Sequence, residues 1–322
     1  MMFGRILCGL AAVTAAFASA VAYAQTYPAK PVRMLVAFPT GGSADIVARL
    51  LAQRLSEQAG VNFFVENRPG AGGNLAFGAL AKADPDGYTI LNSTPGIVIN
   101  PHLYRKVDFR VEDFVAISHV GAAPLLVMAH PSFPASSLAG LVKLAKAKPG
   151  MIRYASAGNG SSSHLASEVM RMMAGIDLLH VPYKGGGPAF QDVIGGQVEL
   201  TTLPIAESLP NVKAKRVKAL AQTGSTRSHM APDVPTLAES GLKGYEVTTW
   251  YVVFAPVKTP KEIVSRLHGE IDKALRTPEL QERLKGVGVT IVNSGPAEAA
   301  GFVRKEYEKW AKVIQQSGAK LD

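Results

Sequence analysis

Short runs rich in β-branched and aromatic residues alternate with amphipathic helical segments along this 322-residue chain. Two unusually long β-rich segments bracket its middle, and its C-terminal part carries three helical patterns with a single strand among them. Together these observations predict an α/β protein of two lobes, with a discontinuous first domain and an interdomain ligand cleft.

Residues 32–38, 63–66, 88–92, 152–156, 178–182, 198–203 and 217–222 read as strands. Between the first two, residues 44–59 place Ile46, Val47, Leu50, Leu51 and Leu55 at helical spacing, and Gly60 supplies a stop. Alternation of this kind means parallel sheets covered by helices. The segments 115–129 and 245–255 are each longer than an average strand, so each is expected to span two domains. The chain is expected to enter a second domain near Gly121 and to return near Phe254. That assigns residues 25–121 plus 254–322 to the first domain and 122–253 to the second, with a hinge where the chain crosses twice. Thr259-Pro260-Lys261-Glu262 reads as a capping box with proline at the first helical position, and Ile263, Leu267, Ile271 and Leu275 follow on one face. A second helix begins at Pro278, and a third from Pro296 carries Phe302, Val303, Tyr307, Trp310 and Ile314 on one side. With only the strand 289–292 among them, these helices need a sheet, and the N-terminal one is the host. No internal repeat of 20–50 residues is visible.

Residues 1–24 have the layout of a secretory signal: Arg5, an apolar run over 6–21, and small residues Ala22 and Ala24 before Gln25. Cleavage after Ala24 is expected, because the run is interrupted by Gly9, Thr14 and Ser19. Nothing after it has the roughly 18 apolar residues a bilayer span needs. Cys8 is the only cysteine and lacks the small residues of a lipoprotein box before it, so the mature chain has no thiol and no disulfide. The formal net charge of +9 becomes +8 without Arg5, which favours anionic solutes. Lys and Arg are scattered and not interleaved with aromatics, which argues against nucleic acid as a partner. About 298 mature residues suit two cores better than one.

The strongest local signal is Phe38-Pro39-Thr40-Gly41-Gly42-Ser43-Ala44-Asp45, where a strand ends and a helix begins. Glycines let the backbone approach a ligand, and a helix start offers unpaired N–H groups at a positive dipole end. The same residues also make an ordinary turn with Ser43 as N-cap. The construction recurs at Ala157-Gly158-Asn159-Gly160-Ser161-Ser162-Ser163-His164, in the second domain, so two such helix starts are expected to face each other across the cleft. His164 is either a ligand donor or a plain helical histidine. Tyr183-Lys184-Gly185-Gly186-Gly187-Pro188 is a third loop, with Pro188 beginning a short helix ended by Gly195, and Lys184 either lends charge or is simply solvated. Ser93-Thr94-Pro95-Gly96 is a fourth, weaker one.

Other signals point nowhere. Gly70-Ala71-Gly72-Gly73-Asn74 lacks dinucleotide and phosphate-loop spacing and reads as a turn. The seven histidines, at 102, 119, 130, 164, 180, 229 and 268, show no helical metal pair, so no metal site or cofactor is expected. No Gly-x-Ser-x-Gly elbow is present, so no catalytic residues are assigned.

Several motifs in a fixed order resemble one family over essentially the whole mature chain. They are Tyr27-Pro28, the Phe38 to Asp45 loop, Glu66-Asn67-Arg68-Pro69-Gly70-Ala71-Gly72-Gly73, Ala83-Asp84-Pro85-Asp86-Gly87-Tyr88, Tyr183-Lys184-Gly185-Gly186, Pro232-Asp233-Val234-Pro235-Thr236-Leu237-Ala238-Glu239 and Trp310. In these the chain resembles the substrate-binding receptors of tripartite tricarboxylate transporters, the Bug-type periplasmic receptors. The resemblance implies a type II periplasmic-binding-protein fold that closes like a Venus flytrap on a small carboxylate. It also implies delivery of that solute to membrane permease subunits, by a monomer of the periplasm that is not an enzyme. The ligand-binding set is then Phe38, Pro39, Thr40, Gly41, Gly42 and Asp45 from one loop and Gly160, Ser161, Ser162 and His164 from another. Ser93, Thr94, Tyr183 and Lys184 complete it. Thr40 and the serines 161–163 depart from the family's usual residues and add hydroxyls. A ligand sensor for a kinase would use the same closed state; a periplasmic hydrolase would need a nucleophile and base the sequence does not offer.

Overall fold

The computed structural model describes residues 27–317, so the leader expected at 1–24 lies outside the described residues. The chain opens with β1 (Val32–Val36), α1 (Ser43–Ala59), β2 (Phe63–Asn67), α2 (Asn74–Ala81), β3 (Thr89–Ser93) and α3 (Gly96–Leu103). A strand of 16 residues follows, β4 (Phe114–Ala129), and then α4 (Leu138–Ala147). The alternation resumes with β5 (Arg153–Ser156), α5 (Ser162–Ala174), β6 (Leu179–Pro182), α6 (Gly186–Ile194), β7 (Leu200–Pro204) and α7 (Ile205–Lys213). The chain closes with β8 (Lys218–Gln222), β9 (Thr248–Pro256), α8 (Lys261–Leu275), α9 (Pro278–Gly286), β10 (Thr290–Ser294) and α10 (Pro296–Ser317).

The strand order is β2-β1-β3-β9-β4-β7-β5-β6, with β8 and β10 also on β4. Two parallel trios stand at its ends, β2-β1-β3 and β7-β5-β6, and in each the strand that comes first in sequence lies in the middle. The two trios thus repeat one strand order, although no sequence repeat announces it. In such an arrangement a cleft opens at the carboxyl end of the middle strand, where the neighbouring connections turn opposite ways. The turns after β1 and β5 occupy that position.

Antiparallel β4 and β9 join the trios. They pair from Phe114↔Pro256 to Pro124↔Thr248, with register shifts between Ala116 and Ser118 and between His119 and Gly121. β3 holds β9 at Val252 to Phe254, and β10 holds β4 at His119 to Ala122, whereas β7 takes over β4 from Leu125 onward. The three C-terminal helices pack with the first trio: α8 and α9 lie on α1, and α10 lies on α3 and β4.

Strand residues alternate between two cores, as the period of two requires. Val32, Met34 and Val36 enter the core under α1, α6 and α8, while Leu35 enters the one under α2, α5 and α10. A sheet buried on both faces accounts for strands that read as continuous apolar runs. Among the described residues no helix is long and apolar enough to cross a membrane.

Several predicted element ends are corrected. α8 starts at Lys261 with Pro260 as its N-cap; Thr259 sits one residue too early, and among the described residues no side chain caps the helix and the buried Thr259 hydroxyl has no partner. α6 starts at Gly186, two residues before the predicted Pro188, because Gly185 takes φ 120 as N-cap. Pro188 is then a first-turn residue, where a missing N–H leaves no bond unmade. The segment 70–74, read as a turn, is a single 3-10 turn over Ala71–Gly73 that runs straight into α2 at Asn74.

Candidate functional site

A cavity of about 330 Å³ lies between the two trios. Four helices begin at its wall: α1 through Gly41 to Ala44, α5 through Ser161 to Ser163, α6 through Gly186 to Pro188, and α7 through Pro204 and Glu207. Each start carries a partial positive charge and N–H groups without intrahelical partners. Phe38, Phe190 and Leu203 supply the apolar wall, and Thr94 and Thr249 add hydroxyls. Both threonine Oγ1 atoms are buried without a hydrogen-bond partner among the described residues.

The β1–α1 turn is built from its neighbours. Asp45 accepts the Gly41 N–H at 2.9 Å, the Arg49 Nε at 2.9 Å and the Asn67 Nδ2 at 2.8 Å, so it shapes the turn from below. Burial alone would raise its carboxyl, but the bonds from Arg49, Gly41 and Asn67 hold it below the usual carboxylate range. Asn67 also donates to the Phe38 carbonyl and accepts from the Thr40 hydroxyl. Gly41 adopts φ +85, open to glycine without strain. The N-cap is Gly42, not Ser43; Ser43 is the first helical residue, and its N–H donates to Glu207 Oε1 at 2.6 Å. Ala44 and Asp45 keep N–H groups with no partner among the described residues.

The β5–α5 turn holds itself. The Ser161 hydroxyl accepts the His164 N–H and donates to the Gly158 carbonyl at 2.6 Å. The Ser163 hydroxyl accepts the Ala157 N–H at 2.7 Å and meets Ser161 Oγ at 2.9 Å. The Ser162 and Ser163 N–H groups, at the cavity wall, have no partner among the described residues.

Of the predicted ligand set, Phe38, Pro39, Thr40, Gly41, Gly42, Thr94, Ser161 and Ser162 line the cavity. The others do not reach it. Asp45, 2% exposed, is the brace just described, and Ser93 lies buried with its hydroxyl on the Thr94 carbonyl. His164 is turned inward: its Nδ1 accepts the Gly160 N–H, and its ring stacks on His180 at 4.2 Å. Burial lowers its pKa to about 4, and burial plus the charge of His164 lowers that of His180 to about 3. Tyr183 and Lys184 line a neighbouring cavity of about 230 Å³, between the 70–73 turn and Gly158-Asn159. Gly160 packs on Asn100, whose Oδ1 would lie 1.9 Å from any Cβ added there.

Sequence reasoning missed Glu207, Phe190, Leu203, Pro204 and Thr249. A signal for Glu207 existed: it follows β7, a parallel strand, so it sits at the same carboxyl edge as the predicted loops. The halves of the molecule meet closely above the cavity. Gly72 has φ +63 and a Cβ there would come within 2.1 Å of the Asn159 carbonyl, while Tyr104 donates to that same oxygen at 3.3 Å.

Two α/β lobes closed over a cavity rimmed by helix starts define a solute-binding receptor. Comparison with known proteins gives the family. The model of the tripartite tricarboxylate transporter family receptor matches residues 47–319. Protein BugT of Bordetella pertussis is 37% identical over 316 residues, which cover 97% of each chain. Among solved structures, the adipate complex of R. palustris Rpa4515 matches at 34% identity and a TM-score of 0.87, over 91% of this chain and 98% of that one. Malate-bound MatC of Rhodopseudomonas palustris matches at 31% identity and a TM-score of 0.83, over 89% and 100%. The chain belongs to the tripartite tricarboxylate transporter receptor family, whose Bug-type members it resembles along nearly its whole length.

Proposed function

We propose that this receptor captures a small carboxylate between its lobes in the periplasm and hands it to the permease subunits of a tripartite transporter. It acts as a monomer and does no chemistry on the solute. The reading rests on one observation: helix starts from both lobes open on a single cavity and leave N–H groups there without partners. A carboxylate supplies the missing acceptors, at roughly 1.5 to 3 kcal/mol for each bond to a charged oxygen. The adipate and malate held by the relatives Rpa4515 and MatC fit the same reading. Among the described residues no Lys or Arg lines the cavity, so the helix dipoles stand in for a cation.

The moving parts are taken as residues 25–121 plus 254–322 against 122–253, closing about β4 and β9. A thermal-shift screen of carboxylic acids tests the function, because a ligand at 100 times its dissociation constant stabilises by about 2.7 kcal/mol. A bound acid recovered unchanged after incubation supports the receptor. Stabilisation only by solutes without a carboxylate sinks the carboxylate, and conversion of the bound acid sinks the claim of no chemistry.

A further inference from the structure

The ionisable side chain at the cavity wall is an acid. Glu207 has that place to itself among the lining residues, which otherwise hold glycines, hydroxyls and apolar groups. It projects from the first turn of α7 in one lobe and reaches the first turn of α1 in the other, where its Oε1 accepts the Ser43 N–H at 2.6 Å. Its Oε2 lies over Gly186, where an added Cβ would come within 2.2 Å of it. A carboxylate offers about four acceptor positions, and among the described residues Ser43 alone bonds to it, through its N–H and its hydroxyl. The unfilled capacity lies at a wall that, among the described residues, carries no cationic side chain, only hydroxyls and helix-start amides as donors.

We infer that Glu207 selects the far end of the ligand, so that the solute is a monocarboxylate whose other end donates hydrogen bonds, as an amide, ammonium or hydroxyl does. The inference rests on the carboxylate reading above. One end of such a solute takes the N–H groups of Ser162 and Ser163, and the other gives its protons to the acceptor that Glu207 holds ready. A dicarboxylate of the same length would set like charges against each other in a cavity with no cation to separate them, an arrangement that interfaces use to reject wrong partners. Burial pushes the Glu207 carboxyl above its ordinary value, opposed by its bonds from Ser43, and a donor brought by the ligand would oppose it further.

The test compares matched pairs by calorimetry near neutral pH: succinate with succinamate, glutarate with glutaramate, and adipate with adipamate. Each pair differs by one carboxylate turned into an amide. The half-amide should bind at least tenfold more tightly than its diacid at the best chain length. In Glu207→Gln, which keeps an acceptor for the Ser43 N–H, that preference should vanish or reverse. Diacids that bind the wild type as well as their half-amides overturn the inference and leave the carboxylate reading standing. A preference unchanged in folded Glu207→Gln overturns it too. If neither member of any pair binds, the inference falls together with the reading beneath it.

Discussion

The β1–α1 and β5–α5 turns occupy the same position in two trios of the same strand order, yet they are finished differently. The second is closed mainly by its own hydroxyls, with Ser161 and Ser163 bonded to the backbone on both sides and one bond from across the cleft, from Tyr104 to the Asn159 carbonyl. The first is held by its own Asp45 and by Asn67 of the neighbouring strand, and is completed from outside, where Glu207 of the opposite lobe takes its Ser43 N–H. The β5–α5 turn thus borrows little from the opposite lobe and is the more nearly prepared of the two, whereas the β1–α1 turn has one of its first helical N–H groups satisfied only across the cleft.

The largest expected effect tests whether closure matters as claimed. Gly72→Ala places a methyl 2.1 Å from the Asn159 carbonyl, at a φ of +63 that an alanine resists. Circular dichroism should show an intact fold, while calorimetry with the acid found by screening should detect no binding; near-normal affinity would mean that the ligand-bound lobes do not meet here. Next come the turns themselves. Gly41→Val, at φ +85, and Ser162→Leu should each lower affinity about tenfold to a thousandfold, at 1.4 kcal/mol per decade. Gly42→Ala should change it less than about threefold, since φ there is −72 and an added Cβ clears the Pro39 carbonyl at 3.4 Å. Equal losses at positions 41 and 42 would show that space, not backbone conformation, sets the first turn.

The prepared turn also has a pH signature. His164 and His180 titrate at about 4 and about 3 in the fold against 6.5 as free side chains. A histidine with a depressed folded value gives stability that is whole above 6.5 and is lost as pH falls toward the folded value, because the unfolded chain then binds the extra protons. The melting temperature should therefore fall between pH 6.5 and about 4, and His180→Phe should flatten that fall; an identical slope in the variant would remove the histidine stack from the account. The smallest effect belongs to Lys184→Ala. The ammonium is exposed and lines the neighbouring cavity, so affinity should change less than about threefold.

What the sequence made legible follows the range of the forces involved. Strand runs, helix periods and glycine turns are local, and the segments at 38–45 and 157–163 were found because strand, glycine and helix start adjoin in the chain. The pairing of Ser43 with Glu207 spans 164 positions and leaves no local mark. The two readings of His164 stay open in the sequence for a related reason: its spacing puts it in the first turn of α5, but the stack on His180, 16 positions on, decides which way its ring faces. The capping box at Thr259 failed on one residue, since Pro260 takes the N-cap position and leaves the threonine outside the helix.

The pair β4 and β9 has a mechanical consequence. Two straps that cross between bodies at separate points would let those bodies slide, rock and twist. Here both crossings lie side by side and are bonded along their length, from Phe114↔Pro256 to Pro124↔Thr248, so sliding would break the whole ladder at once. Twisting is easier, because the extra residues near Ser118 and Gly121 already loosen the register and steepen the local coil. A joint built this way resists sliding more than it resists twisting, so a single angle would describe how its two sides are set against each other.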